Sequence, residues 1–310
     1  MTVICSTDLR LSGRDAGAAG AIVRVSADAG AAGIFVGAGC LLGDVAPLAA
    51  QAFAAGLSIP ALALPLSERA PLAGKRLPRL GAEHADERAA AVELALRGLE
   101  AGTPIGARHA LLDFGPVPLA VSRAEIARFF ARRELDEDGP GAAPLAAALA
   151  ERKARSSALL DACRWAIEAL SRRAEAEAVT LLLPIGATPW QAPSPREIAT
   201  LLEGFAGGPL AVAWDPGRLS ALRALGLALS AERAQALAAA SGAAIENDAV
   251  GMDAGYLPGL GERDDSLPAP QRLPAAAPVI VTGAPDASAT EIAAAVASAS
   301  ASAATPPEAQ

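Results

Sequence analysis

Residues 244–264 read AIENDAVGMDAGYLPGLGERD. A short apolar run opens into acids, glycines and the chain's single tyrosine, Tyr256. An apolar run that stops in a polar, Gly/Pro-punctuated loop reads as a buried strand ending at a functional rim. The same junction recurs on both sides of it. Strands are expected at 2–9, 33–39, 59–66, 107–115, 178–186, 209–215, 243–248 and 277–285. Helical periodicity separates most of them, at 15–30, 44–56, 84–102, 144–176, 194–205, 230–242 and 288–299, with a short helix from Ser122. The strands are continuously apolar rather than alternating, as in a parallel sheet covered by helices. Eight such units in 310 residues predict an α/β chain folded as a (β/α)8 barrel. A doubly wound sheet competes, but its Gly-rich first turn is missing; GAGCLLG (37–43) follows the second strand with the wrong spacing.

Local chemistry sharpens some boundaries. Ser194, Pro195 and Glu197 form a capping box with proline in the first turn. Asp44 is read as an N-cap and Gly56 as the stop of the same helix. SLPAPQRLPAAAP (266–278) holds four prolines, so the seventh crossover is expected to be non-helical. The barrel domain is assigned to 1–300, and the low-complexity end, 301–310, to a disordered tail.

Composition narrows the function. Apolar residues make up 52% of the chain, enough for a large core, and aromatics only 3%. A net charge of −8, from 26 basic and 34 acidic residues, argues against a nucleic-acid partner. Cys5, Cys40 and Cys163 form no CxxC pair and are read as buried, reduced thiols. MTVICSTDLR (1–10) has no basic segment followed by a long apolar one, and no apolar run of membrane-spanning length occurs. A cytoplasmic location without membrane contact is expected. The basic run ERKARS (151–156) is read as a solvated helix face.

In a (β/α)8 barrel the functional groups gather where the strands end. Those ends carry Asp8 and Arg10, Asp113, Asp215 and Arg218, and Glu246, Asn247 and Asp248. Asp215, Arg218 and Asp248 are the candidate catalytic residues. Arg10, Asp113, Glu246, Asn247 and Tyr256 are candidate substrate contacts. Each has a structural reading beside the functional one. Asp215 and Arg218 can simply pair, Asn247 and Asp248 can organise a turn, and Glu246 can bond a neighbouring basic group. Tyr256, Trp190 and Trp214 can stack on a ligand ring or merely pack.

Three stretches carry a resemblance. WDPGRL (214–219) resembles a D-x-G-H motif at the end of a sixth strand. IENDAVGMDAGYLPGLGERD (245–264) resembles an H-x-N/K-D stretch leading into a P-G-x-G-E-x-D loop, and PSPREIATLLEGF (193–205) resembles the helix after a fifth strand. In this order and spacing they resemble the xylose isomerase-like barrels: sugar isomerases, sugar-phosphate epimerases and the AP endonuclease IV group. The resemblance implies one or two divalent cations, held by a Glu ending strand five, the Asp of D-x-G-H, a His on strand seven and a Glu ending strand eight. It also implies proton transfer by the two glutamates beside a metal-polarised carbonyl. This sequence departs from that set. Leu183 or Pro184, Ile245 and Thr282 stand at three of the four positions, Arg218 replaces the His of D-x-G-H, and Asp215 is retained. The chain's two histidines, His84 and His109, fall elsewhere. The expectation is therefore no metal and no other cofactor. Two functions stay open: a metal-independent or repurposed enzyme acting on a small polar molecule such as a sugar or sugar acid, and a non-catalytic barrel that binds a protein partner. DNA repair of the endonuclease type lacks both its metal cluster and its basic groove.

Overall fold

The computed structural model describes residues 1–9, 19–68, 77–263, 266–268, 273–274, 276–283 and 287–304. Its elements run β1 (Thr2–Ser6), α1 (Ala19–Asp28), β2 (Gly33–Val36), α2 (Val45–Ala54), β3 (Ser58–Leu64), α3 (Ala85–Gly102) and β4 (His109–Leu112). The second half continues α4 (Arg123–Ala131), α5 (Ala142–Ala154), α6 (Ser156–Ala176), β5 (Thr180–Leu183), α7 (Pro195–Gly204), β6 (Leu210–Trp214), α8 (Pro216–Ala224) and α9 (Ala231–Ala239). It closes with β7 (Ser241–Glu246), β8 (Asp248–Val250), β9 (Asp253–Tyr256), β10 (Pro278–Val281) and α10 (Ala289–Ala304).

Eight strands close in the order β1-β10-β7-β6-β5-β4-β3-β2, and each of their pairings is parallel. This is a (β/α)8 barrel. Strand side chains alternate between two cores, as the two-residue pleat period requires. Ile4, Phe35, Leu182, Ile245 and Ile280 fill the inside, with Ala61, Ala63, Ala213 and Ala243 between them. Large and small residues thereby share a barrel too narrow for eight large ones. The residues between them, such as Cys5, Ile34, Leu62, Leu183 and Val212, face the helices.

Several expectations need correction. Helix 144–176 is two helices meeting at Arg155. The break falls where Arg152 turns inward to Glu197 and Arg155 reaches across to Glu83. ERKARS is thus no solvated face: Arg152 is 8% exposed, although Lys153 does face solvent. Asp44 does not cap α2 with its side chain, because a preceding 3-10 turn, Leu42–Asp44, holds it at φ −91°, ψ −9° instead of extended. Ser122 and Ser194 do cap, and Ser194 with Glu197 completes the capping box. The stretch after β7 forms an antiparallel β8–β9 hairpin where a loop was expected. No helix occurs among the described residues between β7 and β10, so the seventh crossover is non-helical there. Helix α10 runs on through 301–304, and 305–310 lie outside the described residues. Trp190 and Trp214 are packing residues, 6% and 2% exposed. Among the described residues no helix is long and apolar enough to cross a membrane.

Candidate functional site

A cavity of about 240 Å³ opens where the strands end. Its floor is the top of the inner core: Phe35, Leu111, Ile245 and Ile280. Its polar wall is built from the residues that follow in the same inward register: Ser6 at the end of β1 and Asp8 beyond it, Asp215 after β6, Asn247 after β7 and Thr282 after β10. Met252, Ala254 and Gly255 of the β8–β9 hairpin close one side.

Asp215 is the centre of the wall. It follows β6 directly and precedes α8 as its N-cap, so its carboxylate must serve the helix start. The Arg218 backbone N–H donates to its Oδ1 at 2.9 Å, and Arg218 Nε lies 3.2 Å from its Oδ2. Burial, at 1% exposure, pushes the Asp215 carboxyl above the usual range. The Arg218 charge and N–H and the Asn247 side chain oppose this without cancelling it, and the Glu246 charge adds to it. Arg218 is fixed from its other side by donating through Nη1 to the Ile185 carbonyl at 2.9 Å.

Asn247 is 2% exposed, bonds Asp215 through its side chain, and leaves Oδ1 without a partner among the described residues. That oxygen lies against Gly217, where any Cβ would collide with it, so the glycine of WDPGRL is a matter of space. Asp8 makes the same demand on Gly37. Its carboxylate accepts from the Ala38 and Gly39 N–H groups at 3.1 and 3.0 Å. Loss of solvation raises its carboxyl against those two bonds, and the charge of Asp113 raises it further.

The other expected contacts do not line the cavity, although the described ones stand at the same end of the barrel. Asp248 is buried and accepts the Gly259 and Gly261 N–H groups at 2.7 and 3.2 Å, tying down the loop beyond the hairpin. Glu246 falls one residue out of the inward register and pairs with Arg263 at 2.6 Å. Asp113 is exposed and accepts the Gly115 N–H at 2.8 Å. Tyr256 ends β9 half-buried, while its neighbour Gly255 meets the cavity. Arg10 lies outside the described residues.

Sequence reasoning missed Thr188, Gln191 and Arg123, which complete the wall. Thr188 and Gln191 were legible as polar residues in the loop directly after a strand. Arg123 was not. It sits at the start of α4, which Trp190 helps pin over the mouth by donating from Nε1 to the Val121 carbonyl at 2.8 Å. Arg123 then pairs with Asp253 of the hairpin.

At the positions where the resemblance expects cation ligands, Ile245 and Thr282 face the cavity. Leu183 turns outward into the helix-side core, leaving Pro184 in the inward register. Among the described residues no three His, Cys, Asp or Glu side chains are grouped to hold a metal ion.

No family model matches the sequence, and no curated protein matches it either. Solved structures do match in fold. The D-allulose 3-epimerase of Methylomonas sp. shares 12% identity over 96% of this chain and 89% of its own, at a TM-score of 0.62. The 3-keto-D-glucoside 4-epimerase of E. coli shares 10% over 97% and 99%, at 0.63. A putative xylose isomerase from Rhodospirillum rubrum shares 14% over 99% and 100%, at 0.61. At such identities the likeness establishes the shared (β/α)8 barrel fold and leaves the chemistry to the residues of this chain.

Proposed function

We propose that this barrel binds a small polar molecule at its mouth, without the divalent cation that the resemblance implies. The observation that carries the reading is the state of Asp215. It is the retained ligand position, and both its oxygens already serve Arg218. The guanidinium supplies the positive charge that a cation would bring. Pro184, Ile245 and Thr282 contribute no anionic or imidazole ligand to a second bond, and oxygen-liganded cations need several. Proton transfer between two glutamates on a metal-polarised carbonyl therefore has neither of its parts here. Any chemistry at this mouth runs through Asp215, whose raised carboxyl suits proton exchange nearer neutral pH, and Arg218, which can hold an anionic or carbonyl oxygen. The sugars bound or acted on by the matched structures make a polyhydroxy ligand the first class to test.

The test has two parts. Elemental analysis of protein purified without chelator is expected to find no stoichiometric Mn, Zn, Fe or Co, with no melting shift on adding Mn or Mg. About one metal per chain, lost in Asp215→Ala, overturns the reading. A thermal-shift screen of sugars and sugar acids is expected to give a ligand whose shift disappears in Arg218→Ala. The alternative, a non-catalytic barrel that docks a protein, is supported by Val250 and Leu260, which are 46% and 49% exposed on and beside the hairpin. A stable protein partner in pull-downs together with an empty metabolite screen favours that alternative.

A further inference from the structure

The mouth is asymmetric in its hydrogen-bonding capacity. Each of its carboxylates, and the Gln191 amide oxygen, already accepts at least one bond from the protein. Asp8 accepts two backbone N–H groups, and Asp215 accepts from Arg218 and Asn247. Gln191 Oε1 accepts the Ala187 N–H at 2.9 Å and lies 3.3 Å from Thr188 Oγ1. Asn247 Oδ1, though unpaired, is shut against Gly217. The donors are not taken in the same way. Arg218 uses Nε and Nη1, and its Nη2 has no partner among the described residues. With Oε1 of Gln191 anchored, its Nε2 is the end left for the cavity. Ser6 Oγ accepts the Asp8 N–H at 3.1 Å and keeps its own proton to give. A site whose wholly unused side-chain groups are donors, one of them cationic, matches a ligand rich in acceptors and negatively charged.

Resting on the binding reading above, we infer that the ligand is a small hydroxycarboxylate rather than a neutral sugar. Its carboxylate lies against Arg218 Nη2 and Gln191 Nε2, and its hydroxyls face Ser6 and Thr282. Its carbons rest on Phe35, Leu111, Ile245 and Ile280. The cavity volume, about 240 Å³, is what about eight waters share in the liquid. That limits the ligand to roughly four to six carbons.

Matched pairs decide the matter: threonate with threitol, and gluconate with glucitol, titrated calorimetrically into the full chain at one ionic strength. At least one acid is expected to bind about tenfold or more tighter than its polyol. Gln191→Glu keeps the acceptor that Ala187 and Thr188 use and replaces the amide N–H with a carboxylate. It is expected to abolish acid binding while the melting temperature stays close to that of the parent. Arg218→Gln is expected to remove the preference as well, and the Gln191 variant keeps the test decisive if that protein is unstable. Equal binding of acid and polyol, unmoved by Gln191→Glu, overturns the hydroxycarboxylate assignment and leaves the small-molecule site intact. Binding of neither member of either pair by folded protein overturns both.

Discussion

Arg152–Glu197 and Arg218–Asp215 each join an arginine to a carboxylate that solvent hardly reaches, yet the two carboxyls shift in opposite directions. Burial raises both. At Glu197 it is overruled. Arg152 grips both oxygens, at 2.8 and 2.5 Å, Ser156 donates at 2.8 Å, and the Ser194 N–H donates at 2.8 Å. The net result is a carboxyl below its usual range. At Asp215 the guanidinium approaches through one nitrogen, at 3.2 Å, because it is shared with the Ile185 carbonyl and opens to the cavity. Desolvation wins there and the carboxyl rises. The first pair is a closed tie between α5, α6 and α7 in the helical layer. The second is a more loosely paired group at the mouth, which is the condition expected of a functional site.

The largest expected effect comes from breaking the closed tie. Arg152→Met leaves Glu197 buried without its cation and should cost about 3–5 kcal/mol in denaturant unfolding. Arg218→Met should cost less, about 1–2 kcal/mol, because Asp215 keeps its backbone cap and takes up a proton more readily. Equal losses from the two variants would erase the distinction between the pairs.

An intermediate effect lies in the pH dependence. Glu197, with a lowered carboxyl, contributes stability above its unfolded value of about 4.3, and the contribution is lost as pH falls through the lowered folded value. The deficit of Glu197→Gln should therefore shrink in acid. Asp215, with a raised carboxyl, acts in reverse. Its contribution is present below an unfolded value of about 3.9 and is lost as pH rises through the folded value. Asp215→Asn keeps a competent N-cap and should gain relative to the parent as pH rises past about 4, while ligand binding weakens. Urea midpoints across pH 3–8 measure both trends, and parallel curves for the two variants would contradict the assigned shifts.

The smallest effect is expected at Arg123, whose pair with Asp253 has both side chains about half exposed. Arg123→Ala should change unfolding free energy by less than about 0.5 kcal/mol. A larger loss would show the hairpin to be held as firmly as the helical layer.

Glu197 illustrates how much of this was readable in the sequence. Its place in the capping box with Ser194 follows from a three-residue spacing and is present as expected. Its tie to Arg152 spans 45 residues and left no local sign, so the basic run there read as solvated. Asp215 and Arg218 were likewise legible as neighbours at a strand end. Asp248 and Glu246 looked equally suitable in the sequence, and register separates them from the cavity. Asn247, between them, faces it.

The sequence by itself determined the repeating units: eight apolar runs, the capped helices between them and the proline-rich seventh crossover. These rest on short-range periodicity and capping chemistry, which act within a few residues. The tertiary structure alone decided which strand-end groups share one cavity, and which of their hydrogen-bonding atoms the protein uses up. Arg218 meets Ile185 across 33 residues, and Asp8 meets Ala38 and Gly39 across 30 and 31, because ring closure brings neighbouring strand ends together. Those meetings are set by strand order, pleat register and packing of the closed sheet, and no local pattern records them.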